Sequence, residues 1–235
     1  LTLYFERRFA LASFERLTTS HMEENERRID RWRAIGGKSL ASIGFLTYFG
    51  LVCSVSESGA HEVYQLGLWG ALISSALGDV LLTGRREVHF LLGLIAFFVA
   101  HIAYTIAFLQ PLISTAGLMG SLLWELGALL ILTFGVSGIA YRTFHADIPP
   151  SLQRPAIAYT AVIAIMVAAA LLHAITLGCS IIAVGAIAFW LSDLAVAKQQ
   201  FQADRLSHRG LYVRYWGLPL YYGAQLMLSS EALVL

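Results

Sequence analysis

Apolar residues gather into seven long runs separated by short polar stretches: 39–56, 64–83, 88–109, 112–140, 155–174, 177–197 and 211–230. A helix rises about 1.5 Å per residue, so each run can cross the ~30 Å hydrocarbon layer of a bilayer. None shows the short alternating segments of a membrane β-barrel. The pattern predicts an all-α, polytopic membrane helix bundle with about seven transmembrane helices. The fourth run is long enough to tilt, to kink near Gly117 or Gly120, or to hide two short elements. Short connections favour antiparallel neighbours in one compact bundle. Residues 38–235 read as a single transmembrane domain without linker, low-complexity segment or internal repeat. Residues 1–37 read as a charged cytosolic segment lacking the apolar core of a cleavable signal peptide. Within it, LTLYFERRFALASFERL either lies on the membrane surface as an amphipathic helix or is a solvated tail.

Composition agrees with a membrane protein: 57% of residues are hydrophobic and 13% charged, against about 25% charged in a soluble domain. The net charge of +1 gives no sign of a nucleic-acid partner, and nothing in the sequence specifies a protein partner. The placement of the cations is more telling. All 16 Lys and Arg fall into four groups that seven crossings place on one side: the segment ending at Lys38, Arg85–Arg86, Arg142 with Arg154, and Lys198 to Arg214. The intervening loops carry only Glu57, Glu62 and Glu231. The positive-inside rule then sets the N-terminus cytoplasmic and the C-terminus outside. The same count argues that 112–140 crosses once. Cys53 and Cys179 lie inside apolar runs without metal-type spacing, and read as small core residues whose pairing is left open.

Three acidic residues remain within the runs: Asp79 in SALGDVLL, Glu125, and Asp193 in FWLSDLAVA. An ionised carboxylate in hydrocarbon is costly, so each is a candidate functional group. Asp79 and Asp193 each lie about four residues from the cytosolic end of their run, and could face one another across a cavity open to the inner leaflet. Glu125 lies nearer mid-membrane. Gly78 beside Asp79 would allow close helix approach, and Ser75 lies one turn back on the same face. Ser192 precedes Asp193, with Phe189 and Trp190 one turn earlier. His101 and Tyr104 form an i, i+3 pair, and Tyr221, Tyr222 and Gln225 share the last run. The structural alternatives stay open. Each aspartate can anchor a helix–helix hydrogen bond, His101 can be a packed histidine, Glu125 can be interhelical, and the aromatics can be packing or interface anchors.

SALGDVLL, a short basic loop, FLLGLIAFFVAHIAYTIAF, FWLSDLAVAKQQF and LPLYYGAQLML occur in that order, and together they resemble the YhhN-like membrane family, the lysoplasmalogenases. The resemblance spans roughly Lys38 to Ser230. It departs from the family at the N-terminal edge, where a charged segment replaces an apolar helix and Ser39 stands where proline is common. The resemblance implies a membrane hydrolase that cleaves the sn-1 vinyl ether bond of a lysoplasmalogen, releasing a fatty aldehyde and a glycerophospho-alcohol. It implies no metal or other cofactor, and carries the catalytic pair onto Asp79 and Asp193. Residues 38–235 would then be the catalytic domain, and the substrate a lysophospholipid held in the membrane.

Vinyl ether cleavage begins with protonation of the β-carbon to give an oxocarbenium ion, after which water adds and the hemiacetal collapses. One carboxyl must hold a proton and another must be ionised. Two carboxyls brought close in a low dielectric satisfy this because they do not ionise together. Ser75, His101, Tyr104, Ser192, Tyr222 and Gln225 are the expected groups for positioning water or substrate. Arg85, Arg86 and Arg142 are the expected contacts for the headgroup phosphate. In a bacterial host the site would face the cytosolic leaflet of the inner membrane. Two other readings compete. A zinc-dependent membrane lipid hydrolase would draw ligands from Asp79, Asp193 and His101. A seven-helix receptor or proton-coupled transporter would use the same buried carboxylates, although no lysine inside a run is available for a retinal Schiff base.

Overall fold

The structure is a computed structural model and describes residues 32, 35–55, 62–84, 86–114, 119–201 and 208–230. Among the described residues there is no strand. Seven long helices follow one another: α1 (Ile35–Val55), α2 (Glu62–Leu81), α3 (Glu87–Ser114), α4 (Met119–Phe144), α5 (Pro150–Leu177), α6 (Ser180–Phe201) and α7 (His208–Ser230). A 3-10 turn, His145–Asp147, joins α4 to α5. Five of these helices, α1 and α3 to α6, are long and apolar enough to cross a membrane. The protein is an all-helical integral membrane protein. Of the two helices outside that set, α2 carries Glu62 and Asp79, and α7 begins with His208, Arg209 and Arg214. The surface-helix expectation for LTLYFERRFALASFERL lies outside the described residues.

One predicted boundary moves. The run 112–140 is neither a single helix nor two short ones. Residues 112–114 complete α3, which continues through Pro111, and the remainder belongs to α4 from Met119 onwards. A proline is tolerated in an apolar helix when neighbouring helices cover the freed backbone groups, and Pro111 is buried. Glu125 therefore sits in the second turn of α4, and it is exposed, not at mid-membrane between helices.

Packing follows small residues and aromatic rings. Helix α2 lies along α3, α6 along α7, and α5 touches α3, α4 and α6. A Cβ at Gly217 would stand 2.8 Å from Ala195 Cβ, so α6 and α7 meet at a distance only glycine permits. Gly178 ends α5 with φ 77°, the left-handed conformation that lets the chain reverse into α6. The core is built from buried rings and aliphatics such as Phe49, Tyr64, Phe97, Phe108, Met166 and Phe189. Cys53 and Cys179 pack at its edge. Large apolar side chains face outwards on every helix of the described core, among them Leu51, Leu66, Ile106, Ile131, Ile187 and Leu226. That surface suits lipid, and would be an aggregation liability in water.

Candidate active site

Near the end of α2, Asp79 is 3% exposed. Its Oδ2 accepts hydrogen bonds from Ser42 Oγ of α1 and from the Tyr221 hydroxyl of α7, both at 2.9 Å. Charge-assisted bonds of this kind are what a buried carboxylate requires. Gly78 fulfils its expected purpose in a particular way: the space beside it is filled by the ring of Phe97, which packs edge-on against Tyr221 at 5.7 Å and Phe189 at 6.3 Å.

Asp193 of α6 is braced from two further helices. The Tyr159 hydroxyl of α5 donates to Oδ2 at 2.7 Å, and His101 Nε2 of α3 stands 3.2 Å from the same oxygen and 3.0 Å from the Tyr159 hydroxyl. Because the phenol proton is committed to Asp193, His101 must carry a hydrogen on Nε2 to bond either oxygen. Its Nδ1 is buried with no partner among the described residues. Six helices thus converge on two carboxylates: α1, α2 and α7 at Asp79, and α3, α5 and α6 at Asp193.

Both aspartates line one cavity of about 550 Å³. Its walls are apolar at Leu94, Phe97, Ile163 and Trp190, and polar at Thr83, Ser137, Tyr141, Thr160 and Gln199. The expected common chamber is present, although the two acids differ in their distance from a helix end. Asp79 is close to Leu81 at the end of α2, whereas α6 continues past Asp193 to Phe201. Helix α6 is longer than its apolar run because Lys198–Phe201 extend it beyond the hydrophobic stretch.

The other expected residues separate into three sets. His101 meets Asp193, and Ser192 lines the cavity while its Oγ bonds the Phe189 carbonyl oxygen at 2.7 Å. Tyr104 donates instead to Gln225 Oε1, and both side chains are fully buried outside the cavity wall. Ser75 Oγ and Gln225 Nε2 have no hydrogen-bond partner among the described residues. Tyr222 makes no hydrogen bond to Asp79. Adjacent residues on a helix point about 100° apart, and it is Tyr221 that faces the acid, while the Tyr222 hydroxyl is buried without a partner among the described residues. Arg86 and Arg142 are exposed and absent from the cavity wall, and Arg85 lies outside the described residues. Among the described residues, the cation in that wall is Lys38.

Sequence reasoning had no means of selecting Ser42 or Tyr159, since hydroxyls and phenols are scattered through every run, and it noted Tyr221 beside Tyr222 without assigning it a part. The one usable signal is that Ser42 lies one helical turn from Lys38. Among the described residues, no three His, Cys, Asp or Glu side chains gather as a metal site.

These features define a class: a helical membrane protein whose interior holds two hydrogen-bonded carboxylates on a shared, largely apolar chamber. More narrowly, the chain belongs to the YhhN family, whose profile matches residues 39–232, and this is the family of lysoplasmalogenases. No curated protein and no solved structure matches the chain significantly.

Proposed function

We propose that the protein hydrolyses the sn-1 vinyl ether bond of lysoplasmalogens in the membrane, with Asp79 and Asp193 as the acid/base pair. The reading is carried by one observation: two carboxylates from distant helices border the same cavity, each held by an aromatic hydroxyl. Family membership supports it at the level of a lysoplasmalogenase-like hydrolase.

The cycle balances with two carboxyls and one water. The protonated carboxyl donates to the vinyl β-carbon, and the ether oxygen shares the resulting positive charge as an oxocarbenium ion. The ionised carboxylate takes a proton from water as the water oxygen bonds to the cationic carbon, forming a hemiacetal. In the collapse, the second carboxyl returns its proton to the ether oxygen and the first recovers one from the hemiacetal hydroxyl. Fatty aldehyde and glycerophospho-alcohol leave, and both acids regain their starting states. Ser42, Tyr221, Tyr159 and His101 hold the carboxylate planes in position for these transfers. In this reading α2 and α7 also cross the bilayer, the side bearing all 16 Lys and Arg is cytosolic, and the cavity serves that leaflet.

The test is a panel of lysophospholipids that differ only in the sn-1 linkage, presented to purified protein. Aldehyde is expected from the vinyl ether alone, because protonating its carbon yields a stabilised cation that alkyl ethers and esters cannot form. Turnover should be indifferent to strong chelators. Fatty acid release from the ester, or no aldehyde from the vinyl ether, overturns the proposal. A finer prediction separates adjacent tyrosines. Tyr221→Phe removes a donor to a buried carboxylate, an interaction of about 1.5–3 kcal/mol, and should slow turnover by roughly tenfold or more. Tyr222→Phe should stay within about twofold of the parent. Equal losses in the two variants would show that the Asp79–Tyr221 bond has no special part in the reaction.

A further inference from the structure

Resting on the hydrolase reading, we infer that Lys38 forms the phosphate subsite of the chamber, recognising the phosphodiester of a lysophospholipid one helical turn from the reacting acid. Three observations combine. Lys38 lines the cavity that holds Asp79 and Asp193, and it is close enough to Asp79 to act on its charge. The arginines whose sequence positions suggested a headgroup contact, Arg86 and Arg142, are exposed and outside the wall. Lastly, the spacing suits the ligand. Lys38 lies four residues before Ser42, which bonds Asp79, and Thr83 lies four residues after Asp79. Both side chains are in the wall; Lys38 stands about 6 Å of helix rise from the carboxylate level, while the Thr83 hydroxyl, in the turn after α2, donates to the Val80 carbonyl oxygen at 2.6 Å. In a lysoplasmalogen, six single bonds separate the vinyl ether carbon from phosphorus, a reach of about 7 Å at ordinary bond lengths and angles. A phosphate bound at Lys38 therefore leaves the vinyl ether at the acid pair.

The remaining wall narrows the ligand further. Apart from the two aspartates, the described lining has no acidic side chain; towards the end of α6 it offers the amides of Gln199 and Gln200. Within the described lining, an anionic phosphate therefore finds its opposite charge at Lys38.

The experiment compares lysoplasmenylethanolamine with the phosphate-free 1-alkenylglycerol of the same chain, using the parent, Lys38→Ala and Lys38→Arg. Lys38→Ala should raise KM for the phospholipid about tenfold or more and change KM for the alkenylglycerol far less, and Lys38→Arg should restore much of the phospholipid affinity. A lysine serving only as counter-charge to Asp79 would instead lower kcat equally on both substrates, and that result overturns the inference. Binding of the uncleavable 1-O-alkyl lysophospholipid, read by thermal shift, keeps the two claims separate. If the parent releases no aldehyde yet binds this lipid in a Lys38-dependent manner, the phosphate subsite stands and the hydrolase reading falls. If binding is unaffected by Lys38→Ala, the subsite falls whatever the turnover. Competition by glycerophosphoethanolamine assigns the subsite to a lipid headgroup. Competition by inorganic phosphate alone would reject that assignment in favour of a free anion.

Discussion

Asp79→Asn and Asp193→Asn are each expected to lower aldehyde release by about 10²–10⁴-fold, the range contributed by a positioned acid or base, while leaving the protein folded. Asparagine keeps the size and planarity of the carboxyl group. Its carbonyl oxygen can still accept from Ser42 and Tyr221 at position 79, or from Tyr159 at position 193. It cannot release or take up a proton in the cycle. The hydrogen-bond frame is thereby retained and the chemistry removed. Because the two acids act as a unit, the double variant should be little worse than the weaker single one. Turnover is measured on protein whose gel-filtration profile and melting temperature match the parent. Two folded single variants working at near-parental rates would rule out the pair as catalyst.

The second large effect is expected at Gly78. In a helix, replacing glycine by alanine ordinarily gains about 1 kcal/mol. Here the sign should reverse, because a Cβ at Gly78 would stand 2.6 Å from Phe97 Cε2 and 2.7 Å from Cδ2. The ring cannot easily retreat, being packed against Phe189 and Tyr221. Overpacking of this kind costs roughly 1–3 kcal/mol, and more for a larger side chain. Gly78→Ala should therefore lower the melting temperature, and Gly78→Leu should leave little folded protein. Any Gly78→Ala protein recovered should also turn over slowly, since displacing Phe97 disturbs the tyrosine that holds Asp79. An alanine variant melting at or above the parent would contradict the packing described.

Much of the architecture is legible in the sequence because membrane burial constrains it strongly. Hydrocarbon demands long apolar helices, and the seven runs correspond to seven helices even where their ends shift. Pro111 and the 112–114 stretch illustrate the shift: hydropathy alone cannot separate the end of one apolar helix from the start of the next. Asp79 and Asp193 were visible for the opposite reason, since a carboxylate in an apolar run is too costly to be incidental. Of their partners, His101 was legible as a candidate and the hydroxyls that hold them were not assigned. Ser42, Tyr159 and Tyr221 meet the acids across 37, 34 and 142 positions of sequence, and only the packing of helices reveals which phenol faces which carboxyl. Lys38 in the cavity wall was missed for a similar reason. Arg86 and Arg142 have suitable positions along the chain, but Lys38 has the suitable direction.

The convergence of six helices on two acids also bears on biogenesis. Tyr221 belongs to α7, the last of the seven helices to leave the ribosome, whereas Ser42 on α1 and Asp79 on α2 are made early. Until α7 docks, Asp79 can draw on Ser42 but lacks its phenolic donor, so its desolvation is only partly compensated. A nascent chain halted before α7 therefore has a half-satisfied acid and a cavity without the wall that Gly217, Leu218 and Tyr221 supply. The final docking step thus completes both the hydrogen bonding of Asp79 and the wall of the cavity it borders.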